Sequence, residues 1–200
     1  MARSHDPNAS DDPGGASGLP DVASQDGSGI PVGAEVIHIH DATGRAGAAA
    51  LAWLRERVGQ IGVHMALRGE VRVRIVDDAE MAEAHWEYCE IEGTTDVLTF
   101  DLIDGMAAEG EPLDTDIMVC LDEATRQASP RGHRPEHEIL LYVLHGVLHC
   151  LGYDDHEDAD FERMHAREDE VLNAIGVGAI FAKGPERSGN ASGRSSGGGA

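Results

Sequence analysis

The sequence predicts an α+β fold: a small mixed four-stranded sheet packed with helices, its densest chemistry on a central buried helix. Three observations carry this. Strand-like and helical hydropathy alternate through the first half of the chain, two more strand-like runs follow, and the last third is helical. The segment Ile139 to Leu151 is apolar nearly all round, which places its helix inside the protein.

Taken in order, Glu35 to His40 alternates apolar and polar residues as a half-buried strand does, and Arg45 to Ile61 carries Ala, Leu and Trp at helical spacing. Val71 to Val76 makes a second strand. Asp77-Asp78 offers an N-cap for a helix over Ala79 to Tyr88, where Met81, Ala84, His85 and Tyr88 share a face. Asp96 to Leu102 and Ile117 to Leu121 read as two further strands, joined by a loop containing Gly105, Gly110 and acidic residues. Pro135 suits the first position of the buried helix, with Glu136 and Glu138 in its positively polarised first turn. Asp158 to Ile175 closes the fold as a helix with Phe161, Met164, Val171 and Leu172 on one side, ended by Gly176.

The ends differ in composition. Met1 to Gly33 and Gly184 to Ala200 are rich in small and polar residues and read as disordered tails, leaving residues 34–183 as a single domain. No run approaches the roughly twenty apolar residues of a membrane span, and the N-terminus lacks the apolar middle of a secretory signal, so a cytoplasmic protein without a membrane partner is expected. Cys89, Cys120 and Cys150 are too few and too widely spaced for a disulfide framework and read as buried small hydrophobes. A formal charge of −22 with only 15 Lys and Arg argues against unselective binding to nucleic acid, and no DNA partner is expected. Arg72 and Arg74 fall on one strand face with Arg68 just before it; a solvated face is a better reading than a basic groove.

The chemistry concentrates in His145-Gly-Val-Leu-His149-Cys-Leu-Gly-Tyr-Asp-Asp-His156. Residues four apart on a helix lie on one face, so His145 and His149 can chelate one ion. Gly152 can end the helix in a left-handed turn that brings Asp154, Asp155 or His156 back toward the pair. Three protein ligands and an open position is the pattern of catalytic zinc. Where helix-borne zinc peptidases carry the glutamate of HExxH, this chain has Gly146, so that base is missing. His133 and His137 read as surface groups, and His38, His40, His64 and His85 have no metal spacing. Tyr153 reads as a packing residue, and Met164 as a floor beneath the ion or a helix-core residue.

The motif resembles the HGxLHLxGYDH signature of the YbeY family. Thr95-Asp-Val-Leu-Thr-Phe100 looks like that family's TDVLSF strand, Asp116 to Cys120 like its next strand, and Gly132-His133 like the residues before its metal helix. The resemblance runs from about Val71 to Ile175. It implies a single-strand-specific, metal-dependent endoribonuclease with one zinc ion, acting in 16S rRNA 3′-end maturation and ribosome quality control. Ribosomal RNA and the small ribosomal subunit or its associated proteins are the implied partners.

The resemblance carries the metal ligands over to His145 and His149. The usual third position is Asp155, with His156 one residue on; imidazole being the family's usual donor, the reading leans to His156 with Asp155 as the alternative. No catalytic group is assigned beyond the water the metal would carry. An arginine usual in the family is Cys89 here, and Thr115 replaces a usual glycine. A zinc peptidase, or a ribosome-associated factor whose zinc only holds the fold, remain alternatives.

Overall fold

The computed structural model describes residues 36–103 and 110–180, together with Gly33 and Ala107. Apart from Gly33, the two tails lie outside the described residues. Nine elements follow in the order β1 (Ile37–Asp41), α1 (Ala48–His64), β2 (Arg68–Val76), α2 (Asp78–Cys89), β3 (Val97–Asp101), β4 (Pro112–Cys120), α3 (Leu121–Arg131), α4 (Pro135–Cys150) and α5 (Asp158–Ala174).

The sheet runs β1-β2-β4-β3; β1, β2 and β4 are parallel and β3 pairs antiparallel with β4. This is the mixed α+β sheet the sequence predicts. Period-two alternation sorts its residues cleanly. Val71, Val73 and Ile75 of β2 and Leu113, Ile117 and Val119 of β4 face one side and join the main core with α1, α4 and α5. The opposite side buries a smaller cluster, Val76, Met81 and Cys120, with Leu98 and Met118 packed on it beneath α2.

Local signals explain the helix ends. Asp77 caps α2 by accepting from the Glu80 N–H at 3.0 Å. Pro135 opens α4, and α4 buries Ile139, Leu140, Val143, Leu144, Val147 and Leu148 completely or nearly so. Helix α3 is the element missing from the sequence reading. Its buried residues are Leu121, Ala124 and Ala128, too small a stripe to register as helical periodicity; it is fixed by its ends, the Cys120 sulfur accepting from the Glu123 N–H and Gly132 at φ 72°.

Strand β4 starts earlier than read, at Pro112, since Leu113 and Thr115 are both buried in register with β2. Thr115, in place of the glycine usual in the resembling family, is fully buried: its hydroxyl donates to the Phe100 carbonyl at 2.8 Å and receives the Cys150 thiol at 3.3 Å. One hydroxyl thus ties β4, β3 and the end of α4 together.

Candidate metal centre

Helix α4 crosses the sheet at Gly146. A Cβ there would lie 2.7 Å from Thr99 Oγ1 and 3.0 Å from Ile117 Cδ1, so the helix sits on β3 and β4 closer than a side chain permits. The missing HExxH glutamate therefore has a structural reason: its position is filled by the sheet. His145 and His149 flank this contact. The chain leaves α4 through Gly152, at φ 83°, with Tyr153 N–H donating to the Leu148 carbonyl at 3.0 Å. That turn returns Asp155 to the histidines.

The tautomers of the two imidazoles are set by their outer partners. His145 Nδ1–H donates to Glu168 Oε1 at 2.8 Å, and His149 Nδ1–H donates to the Tyr153 carbonyl at 3.0 Å. Neither partner has a hydrogen to give. The two Nε2 atoms therefore face each other at 3.0 Å, close enough to share one cation, whether a proton or a metal ion.

Asp155 supplies the charge. Its carboxylate oxygens lie 3.7 Å from His145 Nε2 and 4.0 Å from His149 Nε2. Donors about 2.0–2.2 Å from one tetrahedral ion are roughly 3.3 Å from one another, so separations on this scale suit a single zinc-sized ion. His145, His149 and Asp155 form one group of atoms able to hold a metal. His156 does not join it: its side chain is 82 % exposed and its Nδ1 pairs with Asp154.

Glu168 of α5 is the residue the sequence reading passed over. It is fully buried, and its second oxygen accepts from His165 Nδ1 at 2.5 Å, so the carboxylate is shared between two rings. Burial would raise the Glu168 pKa, but the hydrogen bonds from His145 and His165 prevail and hold it below the ordinary glutamate value. Burial likewise depresses His145, yet Glu168, with Asp155 and Asp96 beyond it, brings its pKa above the usual imidazole value. His149, pushed by burial and by the charge of His145, goes down. A sequence signal existed: Glu168 lies in the stripe of α5 that holds Met164, Val171 and Leu172, where a charge needs a partner.

Two cavities meet at the triad. One, about 490 Å³, is walled by Asp96 to Thr99 and Asp101 of the β3 segment with His145, His149 and Cys150. The other, about 360 Å³, runs between α3, α4 and α5, and its walls include Arg131, Glu138, Tyr142, His145, Asp155 and Glu168. His133 is no surface group: its Nε2 meets the fully buried Glu138 at 2.6 Å, as does Arg131 Nη1. His137 packs on Trp53, the ring centroids 4.7 Å apart. Met164 is fully buried in the main core.

Cys89 is exposed, unlike the expectation of a buried thiol, and lines neither cavity. Arg72 and Arg74 of β2 are committed elsewhere. Arg72 reaches Asp116 at 2.5 Å and Asp114 at 2.6 Å, and Arg74 meets Glu80 at 2.8 Å.

No helix of the described residues is long and apolar enough to cross a membrane. A solution structure of a Thermotoga maritima protein is 28 % identical, covers 70 % of this chain and 91 % of its own, and superposes with a TM-score of 0.48, too low to bear on the assignment. The curated relatives are closer in sequence. The Micrococcus luteus protein is 38 % identical over 117 residues, which is 56 % of this chain and 74 % of the relative. The Macrococcus caseolyticus protein is 40 % identical over 113 residues, 54 % of this chain and 73 % of the relative. Both are named endoribonuclease YbeY. The family model described as endoribonuclease YbeY matches residues 40–176, from the end of β1 through α5, and this chain belongs to the YbeY family.

Proposed function

We propose that this protein is a zinc-dependent endoribonuclease of single-stranded RNA, acting in the maturation of the 16S rRNA 3′ end and in ribosome quality control. The observation that carries the reading is the pair of facing imidazole nitrogens 3.0 Å apart beside a carboxylate, in a chain whose relatives are named endoribonucleases. In this reading the cytoplasmic small ribosomal subunit is the partner, and residues 34–183 act as one domain.

His145, His149 and Asp155 would hold the ion; two nitrogens and one carboxylate oxygen suit zinc and leave a position open. Asp155 replaces His156 as the preferred third ligand because its carboxylate already stands among the nitrogens. Bound zinc supplies a Lewis acid that makes hydroxide available near neutral pH and offsets charge developing on phosphoryl oxygens. The chain does the rest. Glu168 and the Tyr153 carbonyl hold both rings with Nε2 turned inward, a preorganisation that costs nothing at the moment of binding. The cavity along β3 gives a single strand access to the open side. Gly146 disfavours the peptidase alternative, since no glutamate fits beside the first histidine.

The test is cleavage of a labelled RNA spanning the 16S 3′ precursor junction, followed with and without chelator and with zinc restored. Cleavage that stops with chelator, returns with zinc and is absent in His149→Ala is the expected result. Cleavage indifferent to chelator, or purified protein that takes up no stoichiometric metal, overturns the reading.

A further inference from the structure

Hydrolysis at such a centre needs a base for the attacking water, and the helix provides none at Gly146. We infer that Asp96 is that base. Asp96 and His145 are the two side chains common to the walls of both cavities, so Asp96 stands where the two spaces meet beside the triad. Its Oδ1 is anchored at the start of β3 by the Val97 N–H at 2.9 Å and the Thr95 hydroxyl at 3.1 Å. Its Oδ2 makes no hydrogen bond or ion pair among the described residues, and it lies outside the group of atoms able to hold the ion.

The other carboxylates of the two walls are engaged, buried or away from the junction of the cavities. Both Glu168 oxygens accept from histidines, and Glu123 is held by Arg126 and Gln127; Glu138 is held through Oε1 by Arg131 and His133, and although its Oε2 has no hydrogen-bond partner the residue is fully buried and lines only the cavity between the helices. Asp155 belongs to the metal group, and Asp101, which accepts from the Ile103 N–H at 3.0 Å, lines one cavity alone. Asp96 is left with a fixed carboxylate and an uncommitted oxygen, the geometry a general base requires.

The step, which rests on the phosphodiesterase reading above, balances simply. The water oxygen forms a bond to phosphorus as its proton passes to Asp96 Oδ2. The bond from phosphorus to the leaving ribose oxygen breaks with its electron pair, and the proton is returned from Asp96 to that oxygen.

Asp96→Asn keeps an acceptor for the Val97 N–H and removes the base. Wild type and variant are compared for zinc per chain, for melting temperature, and for kcat and KM on a single-stranded RNA oligonucleotide and on bis(p-nitrophenyl) phosphate. The expected variant binds one zinc, melts like wild type, keeps KM, and loses about 10²- to 10⁴-fold in kcat on both substrates. An unchanged kcat in zinc-loaded Asp96→Asn overturns the assignment, and so does loss of the zinc, which would make Asp96 a ligand. If Asp96→Asn fails to fold, Asp96→Glu decides: it retains a base and must keep measurable turnover, and an inert, folded, zinc-loaded Asp96→Glu on which added acetate restores nothing counts against the role. Wild type that hydrolyses the small diester but not RNA sinks the ribonuclease reading alone, because the variant still decides Asp96 on the diester. Wild type inert toward both sinks both.

Discussion

The two faces of one sheet handle charge in opposite ways. Beneath α4, carboxylates are buried and shared: Glu138 between Arg131 and His133, Glu168 between His145 and His165. On the α2 side, carboxylates are exposed and paired across strands, with Arg72 spanning Glu70, Asp114 and Asp116. The difference teaches where position is specified. A buried carboxylate held in one geometry can aim a ligand, as Glu168 aims His145; an exposed one has water as an alternative partner and aims nothing.

The largest break of that contrast is at Glu138. Arg131→Ala leaves a fully buried carboxylate with His133 as its remaining ion-pair partner, and should destabilise the fold by about 3 kcal/mol. Urea denaturation measures it. A loss below about 1 kcal/mol would place Glu138 in the same regime as the surface pairs and dissolve the contrast.

Next comes Gly146→Ala. The added methyl meets Thr99 Oγ1 and Ile117 Cδ1 inside ordinary contact distance, and the helix must rise off the sheet. The cost is about 2 kcal/mol of overpacking, accompanied by weaker zinc binding because His145 and His149 flank the displaced turn. Stability and zinc affinity should fall together; a destabilised variant with unaltered affinity would mean the triad does not depend on the sheet contact.

Much of this was legible in the sequence, and for definable reasons. The strands of the sheet and four of the helices announce themselves by periodicity, and the His145/His149 pair by spacing on an apolar helix. Helix α3 did not, because Leu121, Ala124 and Ala128 make too thin an apolar stripe. The third ligand was ambiguous because sequence spacing cannot tell which of two adjacent loop residues a left-handed glycine turns inward; the geometry puts Asp155 beside the pair and His156 in solvent. Glu168 escaped notice because its partner His145 lies 23 residues before it, and Asp96 because its hydrogen-bond partners Thr95 and Val97 are its own chain neighbours and say nothing of the cavities it lines.

Glu168→Gln sharpens the comparison from the buried side. A glutamine oxygen can accept from one ring, and its amide must donate to the other, so His145 and His165 can no longer both present Nδ1–H to it. Whenever His145 takes the other tautomer its Nε2 loses the lone pair. Zinc affinity should drop about 10- to 100-fold, read by competition with a chromophoric chelator. Equal affinity in Glu168→Gln would show that the ring orientation is held by packing instead.

The smallest effect belongs to the exposed pair of Asp78 and Arg126, where Arg126 Nη1 and Nη2 donate to the carboxylate at 2.7 and 2.8 Å. These hydrogen bonds, against a little burial and with help from Cys120 and Thr94, hold the Asp78 pKa at about 2, below the ordinary 3.8. A carboxylate depressed on folding stabilises the native state above its unfolded pKa, and that contribution fades as the pH falls from about 4 through 2. Both side chains are close to half exposed, so the contribution is at most about 1 kcal/mol. Wild type and Arg126→Gln should therefore differ slightly in urea midpoint at pH 6, less in high salt, and converge as the pH is lowered. A gap that stayed constant with pH would mean Arg126 acts through its aliphatic packing on α3, and that even on the open face a charged side chain contributes by what it covers.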